Sequence, residues 1–150
     1  MTDDIRIFEV TEVKDVYVDA VNHLLVQLSS SPAVFTGEHL AKITESSSSH
    51  LFFAEYEGDV VGMLTVGEYL APTGRKLWIE DVVVDEAMRG RSVGRMLVEH
   101  AIAFAKDFGK GTLMLTSRPS RVAANNLYRS CGFEPKETNM YRMSILAEKD

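Results

Sequence analysis

Residues 77–97 read LWIEDVVVDEAMRGRSVGRML, and this stretch decides the fold. Leu77–Val84 is an apolar run rich in β-branched residues, which predicts a buried strand near the middle of a sheet. A basic loop follows and leads into an amphipathic helix predicted from about Val93 to Phe108. The next strand, Thr112–Ser117, completes a β-α-β unit, so the two strands should be parallel with a right-handed crossover.

Working outward from this unit, the periodicity of the remaining chain predicts further strands and helices. The additional elements are a strand at Ile5–Val10, helices at about Lys14–Leu28 and Gly37–Glu45 (the latter capped by Thr36), a hairpin of Leu51–Glu57 and Val60–Tyr69, a short helix at Ala123–Cys131, and strands near 133–137 and 139–146. The predicted fold class is α/β (α+β), as a single domain over residues 1–150. Its mixed, mostly antiparallel central sheet should have about six to seven strands, flanked by about four helices.

The net charge of −6 is unevenly distributed along the chain. Residues 1–85 hold 5 Lys/Arg and 15 Asp/Glu, a net of −10, whereas residues 86–129 hold 8 and 3, a net of +5. A duplex nucleic-acid binder would present a basic face over the whole domain, so we expect no nucleic-acid partner. The basic segment fits a small anionic ligand held locally, and a solvated basic helix face is the alternative.

The rest of the composition narrows the functional class. The only cysteine, Cys131, excludes a disulfide framework, and the four histidines lack metal-ligand spacing, so we expect no metal. A single cysteine also favours a reducing, cytoplasmic setting. The apolar runs fall short of the ~20 residues that span a bilayer, and the N-terminus lacks a signal-peptide pattern, so we expect no membrane partner.

The loop Arg89–Arg95 (RGRSVGR) has the features of an anion site. Backbone N–H groups and the positive end of a helix dipole converge at such a strand-to-helix loop. Its two glycines allow close backbone approach, and its three arginines add charge. Pyrophosphate is the occupant that this pattern favours, and a surface turn with stray basic residues is the alternative. Neither the G-x-G-x-x-G nor the G-x-x-x-x-G-K-[ST] fingerprint is present.

Two motifs carry a family resemblance. Residues 84–97, VDEAMRGRSVGRML, resemble the [QR]-x-x-G-x-[GA] acetyl-CoA motif of the GNAT superfamily of N-acyltransferases, with Arg89 first, Gly94 last and Ser92 in place of the usual middle glycine. Residues 126–133, NLYRSCGF, resemble the family's L-Y-x-x-x-G-F signature. Arg121 occupies a position where members often carry asparagine. The resemblance covers most of the chain from Leu51 to Arg142.

The resemblance implies direct transfer of an acetyl group from acetyl-CoA to a primary amine, without a covalent enzyme intermediate. Tyr128 matches the tyrosine that donates a proton to the leaving thiolate; a packing aromatic is the alternative. Glu80 is the candidate water-mediated base and Asp81 the candidate substrate-binding residue, the alternative being one structural ion pair and one solvated acid. Strand alternation places Glu80 on the side of Val82 and Val84, and Asp81 on the other, unless a bulge changes which acid faces the cleft.

The resemblance also implies a cofactor site. The strand at 77–84 should splay from its parallel neighbour so that pantetheine pairs with its backbone. The expected cofactor-binding residues are Val82, Val83, Val84, Arg89, Gly90, Arg91, Ser92, Val93, Gly94, Arg95, Arg121 and Asn125.

The acidic N-terminal half favours a cationic acceptor: a small amine, a polyamine, or a protein N-terminus or lysine. The resemblance also implies a homodimer through C-terminal strands bearing Met140, Tyr141 and Met143, and the alternative is that these three residues belong to the core. The alternative functions are a non-catalytic acyl-CoA sensor on the same fold and a phosphate-binding regulatory module.

Overall fold

The computed structural model of the protein describes residues 4–147. Within that range five strands and four helices alternate along the chain, with one 3-10 turn at Glu86–Met88. They are β1 (Ile5–Glu9), α1 (Asp15–Leu28), α2 (Gly37–Glu45), β2 (Ser49–Tyr56), β3 (Asp59–Ala71), β4 (Gly74–Val84), α3 (Val93–Lys106), β5 (Thr112–Met114) and α4 (Val122–Ser130). The periodic patterns predicted these elements in the correct order.

The strands form one mixed sheet in the order β1-β2-β3-β4-β5. Strands β1 to β4 are a consecutive antiparallel meander, and β5 is parallel to β4, as the β-α-β unit requires. The fold class is therefore confirmed, with a lower strand count than expected. The predicted strands near 133–137 and 139–146 are wrong, because the described residues after α4 contain no strand.

Helices cover both faces of the sheet and produce two cores. The inward faces of α3 and of several strands form the larger core, which includes Phe52, Leu64, Leu77 and Leu97. Helices α1 and α2 cover the opposite face, where Phe53 and Leu40 are fully buried. Because each strand contributes alternate side chains to the two cores, β2 and β3 read as nearly continuous apolar runs.

Local sequence signals fix the ends of several elements. Thr36 caps α2, its hydroxyl accepting the N–H of His39 at 3.1 Å. The turn between β2 and β3 contains Gly58 at φ 84°, in the left-handed region that glycine adopts without strain. Asp85 caps the 3-10 turn after β4 by accepting the N–H of Ala87 at 3.1 Å.

Helix α3 lies unusually close to the sheet at Gly62 on β3. A Cβ atom there would lie 3.1 Å from Leu97 Cδ1, 3.1 Å from the Val83 carbonyl oxygen and 3.3 Å from Val93 Cγ1. Only glycine leaves room for that approach. The contact sets the position of the N-terminal turn of α3, where the basic loop ends.

Candidate active site

Strands β4 and β5 pair only at their beginning. The parallel register joins Lys76–Trp78 to Thr112–Met114 and then stops, so β5 is shorter than the predicted Thr112–Ser117. The remainder of β4, Ile79–Val84, has no strand partner on that side among the described residues. The parallel pairing therefore stops at the point where the resemblance implied a splay between the two segments. A cleft of about 180 Å³ lies at this point.

The sequence-predicted acids and tyrosine meet at this cleft. It is lined by Leu28, Ile79, Glu80, Asp81, Val82, Leu115, Thr116, Ser117, Arg121 and Tyr128. The acids come from β4, Tyr128 from α4, and Leu28 from the last turn of α1. Residues remote in sequence thus form one polar site between the sheet and two helices.

A bulge in β4 determines which way the acids face. The β3 partners Met63 and Thr65 are two residues apart, whereas their β4 partners Val83 and Glu80 are three apart. The extra residue places Asp81 at φ 51°, in the left-handed region that side chains rarely occupy.

The bulge reverses the predicted orientation of Glu80. Ile79 is buried in the core under α3, and Val82 packs against the same core, so the alternation changes phase between them. Glu80 therefore lies on the opposite face from Val82 and Val84, and the expectation that it shares their face is wrong. Asp81, the bulged residue, lines the cleft together with Glu80.

The Asp81 charge affects the neighbouring Glu80 carboxyl group. Both side chains are exposed, and within residues 4–147 neither forms an ion pair with lysine or arginine. Partial burial of the Glu80 carboxyl group raises its pKa, and the neighbouring Asp81 charge raises it further. A raised pKa brings a carboxylate closer to the range in which it accepts protons efficiently.

Tyr128 combines a buried ring with a polar end. Its ring packs edge-on to Phe133, with centroids 6.2 Å apart, so the packing interpretation is also correct for the ring. Burial raises the pKa of the phenol, and the nearby Arg121 charge lowers it. Tyr128 lines the small cleft together with Glu80 and Asp81.

Sequence reasoning missed Ser117 as a member of the cleft. Its hydroxyl oxygen is buried and makes no hydrogen bond within the described part of the chain. The serine was interpreted as the last residue of a strand, and no pattern in the sequence distinguished it. Thr116 also lines the cleft and was missed for the same reason.

The basic loop ends at an uncapped helix N-terminus. Ser92 precedes α3 at φ 63° and ψ 18°, and its side chain makes no capping hydrogen bond. The first N–H groups of α3 therefore lack an intrahelical or side-chain acceptor. Gly90 also has positive φ, at 82°. The glycine usual at the Ser92 position thus has a conformational reason as well as a steric one.

The three arginines of the loop differ in their contacts. The Arg91 guanidinium lies over the Tyr56 ring, 4.8 Å from its centroid, and donates to the Tyr56 hydroxyl at 3.5 Å. Arg95 donates to Ser130 and to Cys131 Sγ, which connects α3 to α4. Arg89 is exposed, and no side-chain hydrogen bond or ion pair holds it within residues 4–147.

The remaining predicted cofactor residues lie around the same helices. Val83 is buried in the core under α1, and Val84 lies near Gly94, whose added Cβ would be 3.7 Å from Val84 and 3.6 Å from Leu127. Asn125 lines a larger cleft of about 1490 Å³ beside β5 and α4. The loop Arg89–Arg95 lines neither of these two clefts.

Helix α1 supports the loop from the other side. His23 Nε2 lies 3.0 Å from Asp85 Oδ2, and the side-chain amide oxygen of Gln27 (Oε1) accepts the Glu86 N–H at 2.9 Å. The pKa of Asp85 is lowered, mainly by the hydrogen bond from the Ala87 N–H and to a smaller extent by His23. These bonds fix the beginning of the segment that leads to the helix N-terminus.

Two other site types find no support in the described residues. No group of three metal-ligating side chains comes together within residues 4–147. No helix in that range is long and apolar enough to cross a membrane.

The family match and the named relatives place the chain in the class of acyl-CoA-dependent N-acetyltransferases. A sequence model of the Acetyltransferase (GNAT) family matches residues 12–133. The chain belongs to this family, whose members use acetyl-CoA.

Relatives that are similar in sequence are also named as acetyltransferases. The chain is 32% identical over 97 residues to a streptothricin acetyltransferase of Streptomyces lavendulae, covering 65% of this chain and 50% of that protein. It is 28% identical over 126 residues to glucosamine 6-phosphate N-acetyltransferase 1 of Oryza sativa subsp. japonica, covering 78% and 74%. The chain thus spans about half the length of the streptothricin relative.

A solved structure confirms the fold. An aminoglycoside acetyltransferase from an uncultured soil metagenomic sample, in complex with trehalose, superposes with a TM-score of 0.81 at 19% sequence identity. The superposition covers 97% of this chain and 98% of that one.

Proposed function

We propose that the protein transfers an acetyl group from acetyl-CoA directly to a primary amine, with Glu80 as water-mediated base and Tyr128 as acid. One observation carries this proposal: Glu80 and Tyr128, from different elements, line the same cleft, at the point where the pairing of β4 and β5 stops. The base must remove a proton from the amine, and the acid must supply one to the departing thiolate.

The cofactor should extend from this cleft to the basic loop. Pantetheine would pair with the unpartnered backbone of Val82, Val83 and Val84, in the manner of an added strand. The pyrophosphate would accept hydrogen bonds from the first N–H groups of α3, where Ser92, Val93 and Gly94 lie. Among the three arginines of the loop, Arg89 is the most available to a phosphate, because its guanidinium has no protein partner in the described range.

In the same proposal, the other loop residues and Asn125 on α4 hold the cofactor site in shape. Gly90 supplies a left-handed turn, and Arg91 and Arg95 add positive charge while holding the loop to Tyr56 and α4. Asn125 would act from α4, by holding the segment that precedes that helix.

The acceptor should be a cationic amine. Glu80 and Asp81 are neighbouring exposed carboxylates without a basic partner among residues 4–147, and their repulsion contributes to the raised pKa of Glu80. A protonated amine entering the cleft would relieve that repulsion. A small amine, a polyamine and a peptide amine all meet this requirement. Streptothricin and glucosamine 6-phosphate, named for the two relatives, are the first compounds to test.

The proposal is tested by following thiol release when the protein, acetyl-CoA and a panel of amines are mixed. Tyr128→Phe should lower kcat by roughly 10²-fold or more, a typical effect of losing a general acid, and leave the KM for acetyl-CoA nearly unchanged. Tyr69→Phe is the matched control, because Tyr69 lies on β3 and lines neither cleft.

Other outcomes of the same test would overturn the proposal. A thermal shift with CoA but no turnover with any amine would instead establish an acyl-CoA sensor. No shift with CoA would refute the cofactor site. Equal losses in Tyr128→Phe and Tyr69→Phe would refute the role of Tyr128.

A homodimer is proposed from the C-terminal segment. Five large apolar side chains, Met140, Tyr141, Met143, Ile145 and Leu146, are 72–87% exposed. Contiguous exposed apolar residues of this kind mark association surfaces, and the outer edge of β5 has no partner within residues 4–147. Sedimentation velocity should give twice the chain mass of 16.7 kDa, and a monomer at all concentrations would contradict the proposal.

A further inference from the structure

Arg121 and Tyr128 occupy one face of the same helix. Arg121 is the N-cap residue of α4, and Asn125 and Tyr128 follow at spacings of four and seven. These spacings align side chains along one side of a helix. Both Arg121 and Tyr128 line the small cleft and the larger one beside it.

Asn125 fixes the start of this helix. Its side-chain amide donates to the carbonyl oxygens of Arg118 at 2.9 Å and Arg121 at 2.8 Å. The two bonds tie the preceding segment to the first turn of α4. The backbone of Arg121 is thereby held at a constant position relative to Tyr128.

The Arg121 guanidinium has no competing partner in the described part of the chain. No side-chain hydrogen bond or ion pair involves it within residues 4–147, whereas Arg75 pairs with Glu68 at 2.8 Å and Arg95 contacts α4. An arginine whose charge is not neutralised nearby acts on whatever anionic group forms beside it.

The charged groups around Tyr128 come from several elements. They are Glu80 and Asp81 on β4, Arg118 after β5, Arg121 and Arg129 at the ends of α4, and Glu134 and Lys136 beyond it. Burial raises the pKa of Tyr128, and the positive charge of Arg121 lowers it by a smaller amount.

We propose that Arg121 is a positioning residue that favours negative charge at the thiol end of the reaction, acting through Tyr128. The inference rests on the proposed acetyl transfer. In that reaction the amine nitrogen forms a bond to the acetyl carbon and loses a proton through water to Glu80, and the carbon–sulfur bond breaks with its electron pair going to sulfur. The Tyr128 hydroxyl gives its proton to that sulfur, and the proton taken up by Glu80 returns through solvent to the phenolate. Arg121 keeps its charge throughout and stabilises the phenolate and thiolate forms. A neutral asparagine at this position could not supply that charge.

The coupling can be measured without turnover. The ultraviolet absorbance of tyrosinate is titrated for the wild type and for Arg121→Gln, each minus its Tyr128→Phe counterpart, so that only Tyr128 is observed. Arg121→Gln should raise the pKa of Tyr128, and Arg121→Lys should restore most of the wild-type value. Arg118→Gln is the matched control and should leave the value unchanged, because Arg118 lines only the larger cleft, whereas Arg121 shares both clefts with Tyr128.

Kinetics supply the second readout, in the protein with acetyl-CoA and any amine that it acetylates. Arg121→Gln should lower kcat roughly tenfold, move the alkaline limb of the kcat profile to higher pH, and change the KM for acetyl-CoA little. A raised KM with unchanged kcat would make Arg121 a phosphate ligand and overturn the inference. An unchanged Tyr128 pKa, or an equal shift in Arg118→Gln, would also overturn it. If no amine is acetylated, the proposed function fails, while the titration still decides whether Arg121 acts on Tyr128.

Discussion

The contact between α3 and the sheet at Gly62 gives a sharp test of how the site is built. Replacing Gly62 by alanine adds a Cβ that lies 3.1 Å from the Val83 carbonyl oxygen and 3.1 Å from Leu97 Cδ1. Real Cβ contacts of this length are rare, so something must move. The Val83 oxygen belongs to the β4 backbone, and Leu97 is fully buried, so neither can yield easily.

The cost follows from overpacking. Inserting one methyl group into a filled core costs about 1–3 kcal/mol, because the neighbours leave their preferred rotamers or the backbone shifts. For a chain of this size each kcal/mol lowers Tm by about 2–4 °C, so Gly62→Ala should melt roughly 2–12 °C below the wild type. Because Val93 also touches the added atom, the first turn of α3 should move and acetyl-CoA should bind more weakly.

The assay is urea unfolding followed by circular dichroism, with a matched glycine as control. Gly67 lies on the same strand, and the nearest atom to its added Cβ is the Ser48 carbonyl oxygen at 4.0 Å. Gly67→Ala should therefore be neutral or gain up to about 1 kcal/mol, because alanine loses less entropy on folding. If Gly62→Ala proved as stable as Gly67→Ala, the close approach of α3 to β3 would be refuted.

Two further predictions concern the loop and the acids. Ser92→Gly should raise the free energy of unfolding by about 0.5–1 kcal/mol, because left-handed backbone costs a non-glycine residue about 1–2 kcal/mol and the entropy of glycine offsets part of the gain. Urea unfolding of both variants checks this, with Ser46→Gly as the control because φ of Ser46 is −76°, outside the left-handed region. An equal change in the free energy of unfolding in the two variants would contradict the prediction. Asp81→Asn should move the acid limb of the kcat/KM profile to lower pH, because the Asp81 charge helps to raise the pKa of Glu80, and Glu80 loses its base function when protonated. Glu80→Gln is the reference without that base, and an acid limb unmoved by Asp81→Asn would exclude the coupling.

The local patterns of the sequence determined most of the fold. Periods of two and of 3.6 predicted β1 to β4 and all four helices, because burial on a sheet or helix face selects apolar residues at those intervals. Thr36, a local capping residue, marked the start of α2 correctly. The basic loop and the Tyr128 motif, read together, identified the family that the sequence model confirms.

The C-terminal strands show where this reasoning fails. The stretch 139–146 carries apolar residues suited to a strand, yet they remain exposed and unpaired in the described structure. A strand requires a partner edge, and residue composition alone does not specify one. For the same reason β5 ends at Met114 although strand-like residues continue after it.

The candidate site depended on contacts that no local pattern records. The sequence by itself determined which residue types were available: two adjacent acids, a tyrosine on a short helix, and a basic turn before a helix. Only the tertiary structure decided that a bulge interrupts β4 at the two acids, that Arg95 holds α4, and that Arg121 and Tyr128 line the same cleft as those acids. Packing between segments distant in the chain determines where a strand bulges, how helices dock and which charged groups come together. Sequence patterns report only which faces of each segment are buried.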